Sequence, residues 1–138
     1  MGMVMTQEDK DLLLRDLCAR LPYRVKVQIK NEIIVLDSVC DDDGYHFNFI
    51  GNDREGVNIE NIKPLLFPLS SMTEAQVEEL YRCSGVMLRR SGCIGLDFHV
   101  FEFTDLDNAL KYLDQNHFDY RGLIPKGLAI DATGLDIY

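Results

Sequence analysis

With 138 residues, 46% of them apolar and 27% charged, the chain has the length and composition of a single domain spanning residues 1–138, able to bury a core without disulfides or a structural metal. A formal charge of −9 argues against direct nucleic-acid binding, which needs clustered Lys and Arg against phosphate. Tryptophan is absent, so Phe, Tyr, Leu and Ile must fill the interior.

Thr6 is a good helix N-cap, with acids at Glu8, Asp9 and Asp11 facing the helix dipole. Leu13, Leu14, Leu17, Cys18 and Leu21 recur at three- and four-residue steps, which predicts a helix over 7–20 that Pro22 stops. Residues 24–62 read as a small antiparallel sheet of four or five strands, curled in the SH3-like manner. In the first strand Val25, Val27 and Ile29 alternate with Lys26, Gln28 and Lys30. Asn31-Glu32 is a tight turn, Ile33 to Val39 a second strand, and Asp43-Gly44 a hairpin turn. Tyr45, Phe47 and Phe49 share one face of a third strand, and Val57 to Ile62 is a fourth.

Lys63-Pro-Leu-Leu-Phe-Pro-Leu-Ser-Ser-Met72 reads as a rigid apolar connector, because two prolines speak against a central strand. Its Leu65–Leu69 stretch would cover an open side of the sheet or, if exposed, meet a partner. A helix over 73–84 follows, with Thr73 and Gln76 as capping box, Met72 and Val77 as hydrophobic staple, and Gly85 as the stop. Val77, Leu80 and Tyr81 should face inward. Residues 97–103 read as a strand, and Thr104 caps a helix over 105–116 whose inner face is Leu106, Ala109, Leu110 and Leu113. A short Gly-punctuated tail completes an α+β chain: helix, small sheet, helix–strand–helix, tail.

The cysteines, Cys18, Cys40, Cys83 and Cys93, form no C-x-x-C pair, which points to free, mostly buried thiols in a reducing compartment. No window approaches the ~18 apolar residues of a membrane span, and residues 1–10 lack a signal-peptide pattern. The expectation is a cytoplasmic protein with no membrane contact.

The segment densest in reactive groups is His117, Asp119, Tyr120, Arg121 and Lys126. A His, an acid and a Tyr suit acid–base chemistry, and Arg121 suits a carboxylate or phosphate. The plainer reading is a helix-exit loop in which His117 and Phe118 pack on the helix, Asp119 bonds nearby backbone amides and Arg121 pairs with an acid. As a site, these five residues are binding candidates, with no catalytic residue assigned. Asp41-Asp42-Asp43-Gly44 departs from calcium-loop spacing and reads as a solvated turn. Gly92-Cys-Ile-Gly95 has the spacing of a nucleic-acid clamp but precedes a strand rather than a helix. His46, His99 and His117 show no metal-ligand spacing, and neither a metal nor a cofactor is called for.

Three stretches carry a family likeness: Asp11-Leu-Leu-Leu-Arg-Asp-Leu-Cys-Ala-Arg-Leu-Pro-Tyr23, Ile62-Lys-Pro-Leu-Leu-Phe-Pro-Leu-Ser-Ser-Met-Thr-Glu74 and Asn116-His-Phe-Asp-Tyr-Arg-Gly-Leu-Ile-Pro-Lys-Gly-Leu-Ala-Ile-Asp131. They resemble a family of small uncharacterised proteins of gut Bacteroidales genomes and their phages or mobile elements. Residues 85–104 depart most from that family, and Arg24 stands where it has a glycine. The resemblance implies an accessory protein of phage or mobile-element origin and no catalytic residue.

The expected function is therefore a non-enzymatic module with a protein partner. One alternative is an acidic decoy mimicking nucleic acid, resting on six acids in residues 41–60 and eight in residues 91–138. Another is a small enzyme centred on His117 or Cys93, which needs a pocket bringing one of them to an acid or base.

Overall fold

The computed structural model describes residues 5–41, 45–51, 57–90, 96–100 and 106–138, with backbone alone at 86–90 and 96–100. The fold is α+β. Helix α1 spans Gln7–Arg20, and strands β1, β2 and β3 follow at Lys26–Ile29, Glu32–Asp41 and Tyr45–Phe49. Strand β4 is Lys63–Pro68 and helix α2 is Glu74–Ser84. Strands β5 (Val86–Arg90) and β6 (Leu96–Val100) form a separate antiparallel pair, and helix α3 is Leu106–Gln115. Two short strands end the order, β7 at Phe118–Asp119 and β8 at Ile130–Asp131.

The expected helix starts are present for the expected reasons. Thr6 Oγ1 accepts from the Asp9 amide at 3.1 Å, and the Asp9 carboxylate accepts from the Thr6 amide in return. Thr73 and Gln76 repeat the reciprocal box at α2, and Gly85 closes that helix at φ 74°. The staple forms too, with Met72 and Val77 in the same apolar cluster. The inner faces differ in detail. Tyr81 and Leu106 are exposed, and Tyr112 is buried instead. Cys18, Cys40 and Cys83 are free thiols as expected but exposed rather than buried. Cys93, the 92–95 loop, Asp42 to Gly44 and the Thr104 cap lie outside the described residues.

The sheet is mixed rather than purely antiparallel. Its order is β3-β2-β1-β4-β7, with β8 also on β4. The β1–β2 hairpin turns through Lys30-Asn31, one residue earlier than expected, because Ile29 pairs with Glu32. Lys30 takes φ 56° there. Residues Ile59–Asn61 form a 3-10 turn where a fourth strand was expected.

The main correction is β4. The proline-rich connector is a strand with β1 antiparallel and both tail strands parallel to it. Proline costs a strand its amide donor, but Pro64 and Pro68 sit near the two ends. The backbone between them is well used. Phe67 N donates to His117 O at 2.9 Å, Leu66 O accepts from Ala132 N at 2.7 Å, and Leu65 O accepts from the Tyr138 hydroxyl at 2.9 Å. Leu65 and Leu66 are fully buried, so this part of the stretch is core, while Phe67 to Leu69 are half-buried.

Two apolar clusters result. Leu13 and Leu17 of α1 pack with Val25, Val27, Ile29, Leu36, Phe47, Phe49 and Leu66 of the sheet. Met72, Leu80, Ala109, Leu113 and Phe118 form the second, under α2 and α3. No helix among the described residues is long and apolar enough to cross a membrane.

Candidate functional site

The chain leaves α3 through a left-handed residue. His117 has φ 60°, and its amide donates to Asp114 O at 3.1 Å. This conformation is costly for a residue other than glycine. It turns the chain so that the His117 carbonyl meets Phe67 N and β7 can run parallel to β4.

The groups that made this segment conspicuous then turn inward. The Asp119 carboxylate accepts from Leu123 N at 2.9 Å and Ile124 N at 2.8 Å, closing the loop on itself. Arg121 Nη1 donates to Asp16 Oδ1 at 2.7 Å and Asp114 Oδ1 at 3.1 Å. The Tyr120 hydroxyl donates to Asp114 Oδ2 at 3.1 Å and accepts from Arg121 Nη2. These are the contacts of the helix-exit reading. Lys126 alone of the five is exposed.

At the centre lies a residue sequence reasoning passed over. Arg20 has no exposed surface. Its Nε donates to both oxygens of Asp16, its Nη2 to Phe118 O at 2.6 Å and its Nη1 to Leu113 O at 3.4 Å. One guanidinium thus joins α1, the end of α3 and β7. Two arginines face two aspartates, so the buried cluster is charge-balanced, as burial requires. A signal was available: Leu13, Asp16, Leu17 and Arg20 are spaced i, i+3, i+4, i+7, one helix face. Reading only the apolar members hid the polar pair between them.

Titration follows from this packing. Burial pulls the Arg121 guanidinium down, but Asp16 outweighs it and the net shift is upward. Burial pushes the Tyr120 phenol up, with Asp114 adding to the effect. Both residues are therefore held in their donor forms.

His117 faces the opposite way from an acid–base residue. It is 5% exposed. Burial, then the neighbouring Arg20 charge, lower its pKa to about 4, against the opposing pull of a hydrogen bond to the Tyr23 backbone. Its Nδ1 is a buried side-chain atom without a hydrogen-bond partner. The bond to Tyr23 therefore falls to Nε2, which fixes Nδ1 as an acceptor in the neutral ring.

The His117 ring stacks on Tyr138, with centroids 4.0 Å apart and planes 18° apart. Tyr138 is the second residue the sequence did not flag. Its hydroxyl accepts from Lys26 N at 2.8 Å and donates to Leu65 O. Val27 pairs with Pro64 and Gln28 with Lys63, so Lys26 and Leu65 would be the next rung. The phenol replaces that rung. Burial of the hydroxyl raises its pKa to about 12.

A cleft of about 520 Å³ opens beside this stack. Phe67, His117, Phe118 and Tyr138 line it together with Ser71, Thr73, Gln76, Gln115, Asn116 and Thr133. The lining contains no carboxylate, ammonium, guanidinium or thiol side chain. Among the described residues no group of His, Cys, Asp and Glu is arranged to hold a metal. The acids behind the decoy reading are partly spent elsewhere: Asp114 and Asp119 are buried, and Glu60 pairs with Lys10 at 2.8 Å.

Comparison of the chain with protein-family models, curated proteins and solved structures finds no match.

Proposed function

We propose that this protein is a non-enzymatic protein-interaction module, working in the cytoplasm as an accessory factor of phage or mobile-element origin, and that it meets its partner through the cleft beside His117. The observation that carries this reading is the chemistry of the lining. Aromatic residues with neutral amide and hydroxyl residues around them suit recognition, and the Ser71 hydroxyl donates to Pro68 O while His117 Nδ1 has no hydrogen-bond partner, so neither activates the other. Of the neighbouring loop's ionisable groups, Arg121 is committed to Asp16 and Asp114 and Asp119 to backbone amides, which leaves them little to offer a substrate.

The test is affinity capture with the wild-type chain and with Thr133→Trp, which fills the cleft from an exposed rim position. A partner held by the wild type and lost by the filled variant supports the module. The same partner held equally by both shows that the cleft is not the contact surface. Lys126→Ala, changed at the exposed end of the loop, should leave capture intact.

A further inference from the structure

One face of the sheet packs on α1, and the other departs from what a solvated face usually carries. Paired residues of antiparallel strands share a face, and faces alternate along a strand. Val27 and Ile29 pack with Leu13 and Leu17 of α1, so Lys26 and Gln28 face away from the helix. Lys63, Gln28 and Ile33 form one row on that outer face, across β4, β1 and β2. Lys26 and Val35 form the next. Ile50, which follows the buried Phe49 and whose amide donates to Val35 O at 3.0 Å, extends that second row.

Two features set this face apart. Ile33 is 44% exposed and Ile50 46%, with the half-buried Val35 between them. A solvated sheet face is normally polar, and single exposed aliphatics are ordinary, but adjoining ones make a patch. The charge, too, has the wrong sign for this chain. Acids outnumber bases 23 to 14, yet the two rows hold Lys26 and Lys63 and no carboxylate, and the exposed Lys30 follows directly after β1. Glu32 pairs with Ile29 and so belongs to the α1 side, and Asp37 lies beyond Val35 at the register shift. Among the described residues neither Lys30 nor Lys63 forms an ion pair.

The spacing describes what fits. Neighbouring strands lie about 4.8 Å apart, so Ile33 on β2 and Lys63 on β4 are separated by about 10 Å, the reach of about three extended residues. A segment with aliphatic side chains followed within that reach by acids covers the patch and meets the lysines. A nucleic acid or an anionic membrane spans far more than this face and meets the chain's remaining acids, whereas a short segment feels only charges within a Debye length of about 8 Å. A second copy placed face to face sets lysines against lysines, with no carboxylate in either row to answer them. We propose that the outer face of β1, β2 and β4 is a second docking surface, for a short aliphatic-then-acidic segment of a protein partner. This goes beyond the interaction reading above and rests on residues outside the cleft.

The probe is the peptide acetyl-Leu-Ile-Ser-Glu-Glu-amide, titrated into the full 15N-labelled chain. Amide signals of Ile33, Val35 and Lys63 should move together and saturate. The Gln-Gln counterpart should bind about fivefold more weakly, the loss of two exposed ion pairs, and a Ser-Ser-Ser-Glu-Glu counterpart should leave these signals in place. Ile33→Ser and Lys63→Glu, both at exposed positions, should each weaken the peptide without altering the rest of the spectrum. No saturable shift at Ile33 and Lys63 up to about 10 mM peptide, or equal binding of the Gln-Gln form, overturns the proposal. Shifts at Gln76 and Asn116 instead would place the segment in the cleft. Ile33 signals that move on dilution of the free chain would show a second copy on this face, and signals moved by phosphatidylserine–phosphatidylcholine vesicles but not by the peptide would show a lipid surface; either result overturns the choice of partner. Because the cleft signals are read in the same titration, failure at the sheet face leaves the interaction reading standing.

Discussion

Arg20 Nε lies 3.1 and 3.0 Å from the two carboxylate oxygens of Asp16, one helical turn earlier, and neither residue has any exposed surface. Each charge is tolerated there because of the other, and because Arg20 also serves two carbonyls and Asp16 also receives Arg121. Such a cluster contributes little against an ideal apolar core, but removing one partner strands the other.

Arg20→Met and Asp16→Asn should therefore each destabilise the chain by about 3–5 kcal/mol, read as a lowered urea midpoint. Arg20→Lys should fail almost as badly. An ammonium keeps the charge but cannot hold Asp16, Leu113 O and Phe118 O together in a planar fork. A midpoint unchanged in Arg20→Met would show that this cluster does not hold the fold.

His117 sets a pH dependence. Its pKa is about 4 in the folded chain against 6.5 in its absence. Above the unfolded value both states hold neutral imidazole and nothing depends on pH. Below it the unfolded chain binds a proton that the native chain refuses, so stability falls from about pH 6.5 down to about pH 4 and then levels for this group. The full loss is about 3 kcal/mol. His117→Asn tolerates the left-handed backbone, carries no titrating ring and should flatten the curve over that window. A wild-type stability that is level between pH 6.5 and 4.5 would mean that His117 is not held neutral.

The left-handed positions give stabilising changes. Arg24 at φ 57° and Lys30 at φ 56° are both exposed, so their side chains pack against little. Glycine adopts this conformation without the steric cost, although it gives back part of the gain as unfolded-state entropy. Arg24→Gly and Lys30→Gly should each raise stability by up to about 1 kcal/mol, seen as a higher denaturation midpoint. A lowered midpoint for both would argue against these turns.

Tyr138→Phe keeps the ring on His117 and removes the hydroxyl that replaces a rung between β1 and β4. Lys26 N and Leu65 O lose that bridge, at about 1–3 kcal/mol. Amide exchange at Lys26 should quicken well before that of Val27. Unaltered exchange at Lys26 would place the hydroxyl elsewhere.

What was legible in the chain was whatever announces itself locally. Thr6 with Asp9 and Thr73 with Gln76 are reciprocal caps readable from spacing alone, and Gly85 is a stop signal. What was hidden depends on chain-distant partners. Asp16 meets Arg121 across 105 positions and Tyr138 meets Lys26 across 112, so neither residue looks unusual among its neighbours. Strand β4 was misread because a proline was judged by its presence rather than by its position near a strand end. Strands β7 and β8, two residues each, are too short to leave an alternating pattern. Nothing in the local pattern marks Arg24 as left-handed, although its φ of 57° closes the 3-10 turn at Leu21–Tyr23.

Asp119 and Arg121 of the 117–126 segment fold inward, the first onto the loop's own amides and the second onto Asp16 of α1. A double-mutant cycle between Asp16→Asn and Arg121→Gln, read by urea unfolding, tests this most directly. Residues in one buried network should show a coupling energy of about 1–3 kcal/mol, whereas additivity within about 0.3–0.5 kcal/mol would mean that Arg121 does not reach Asp16 and that the loop faces outward after all.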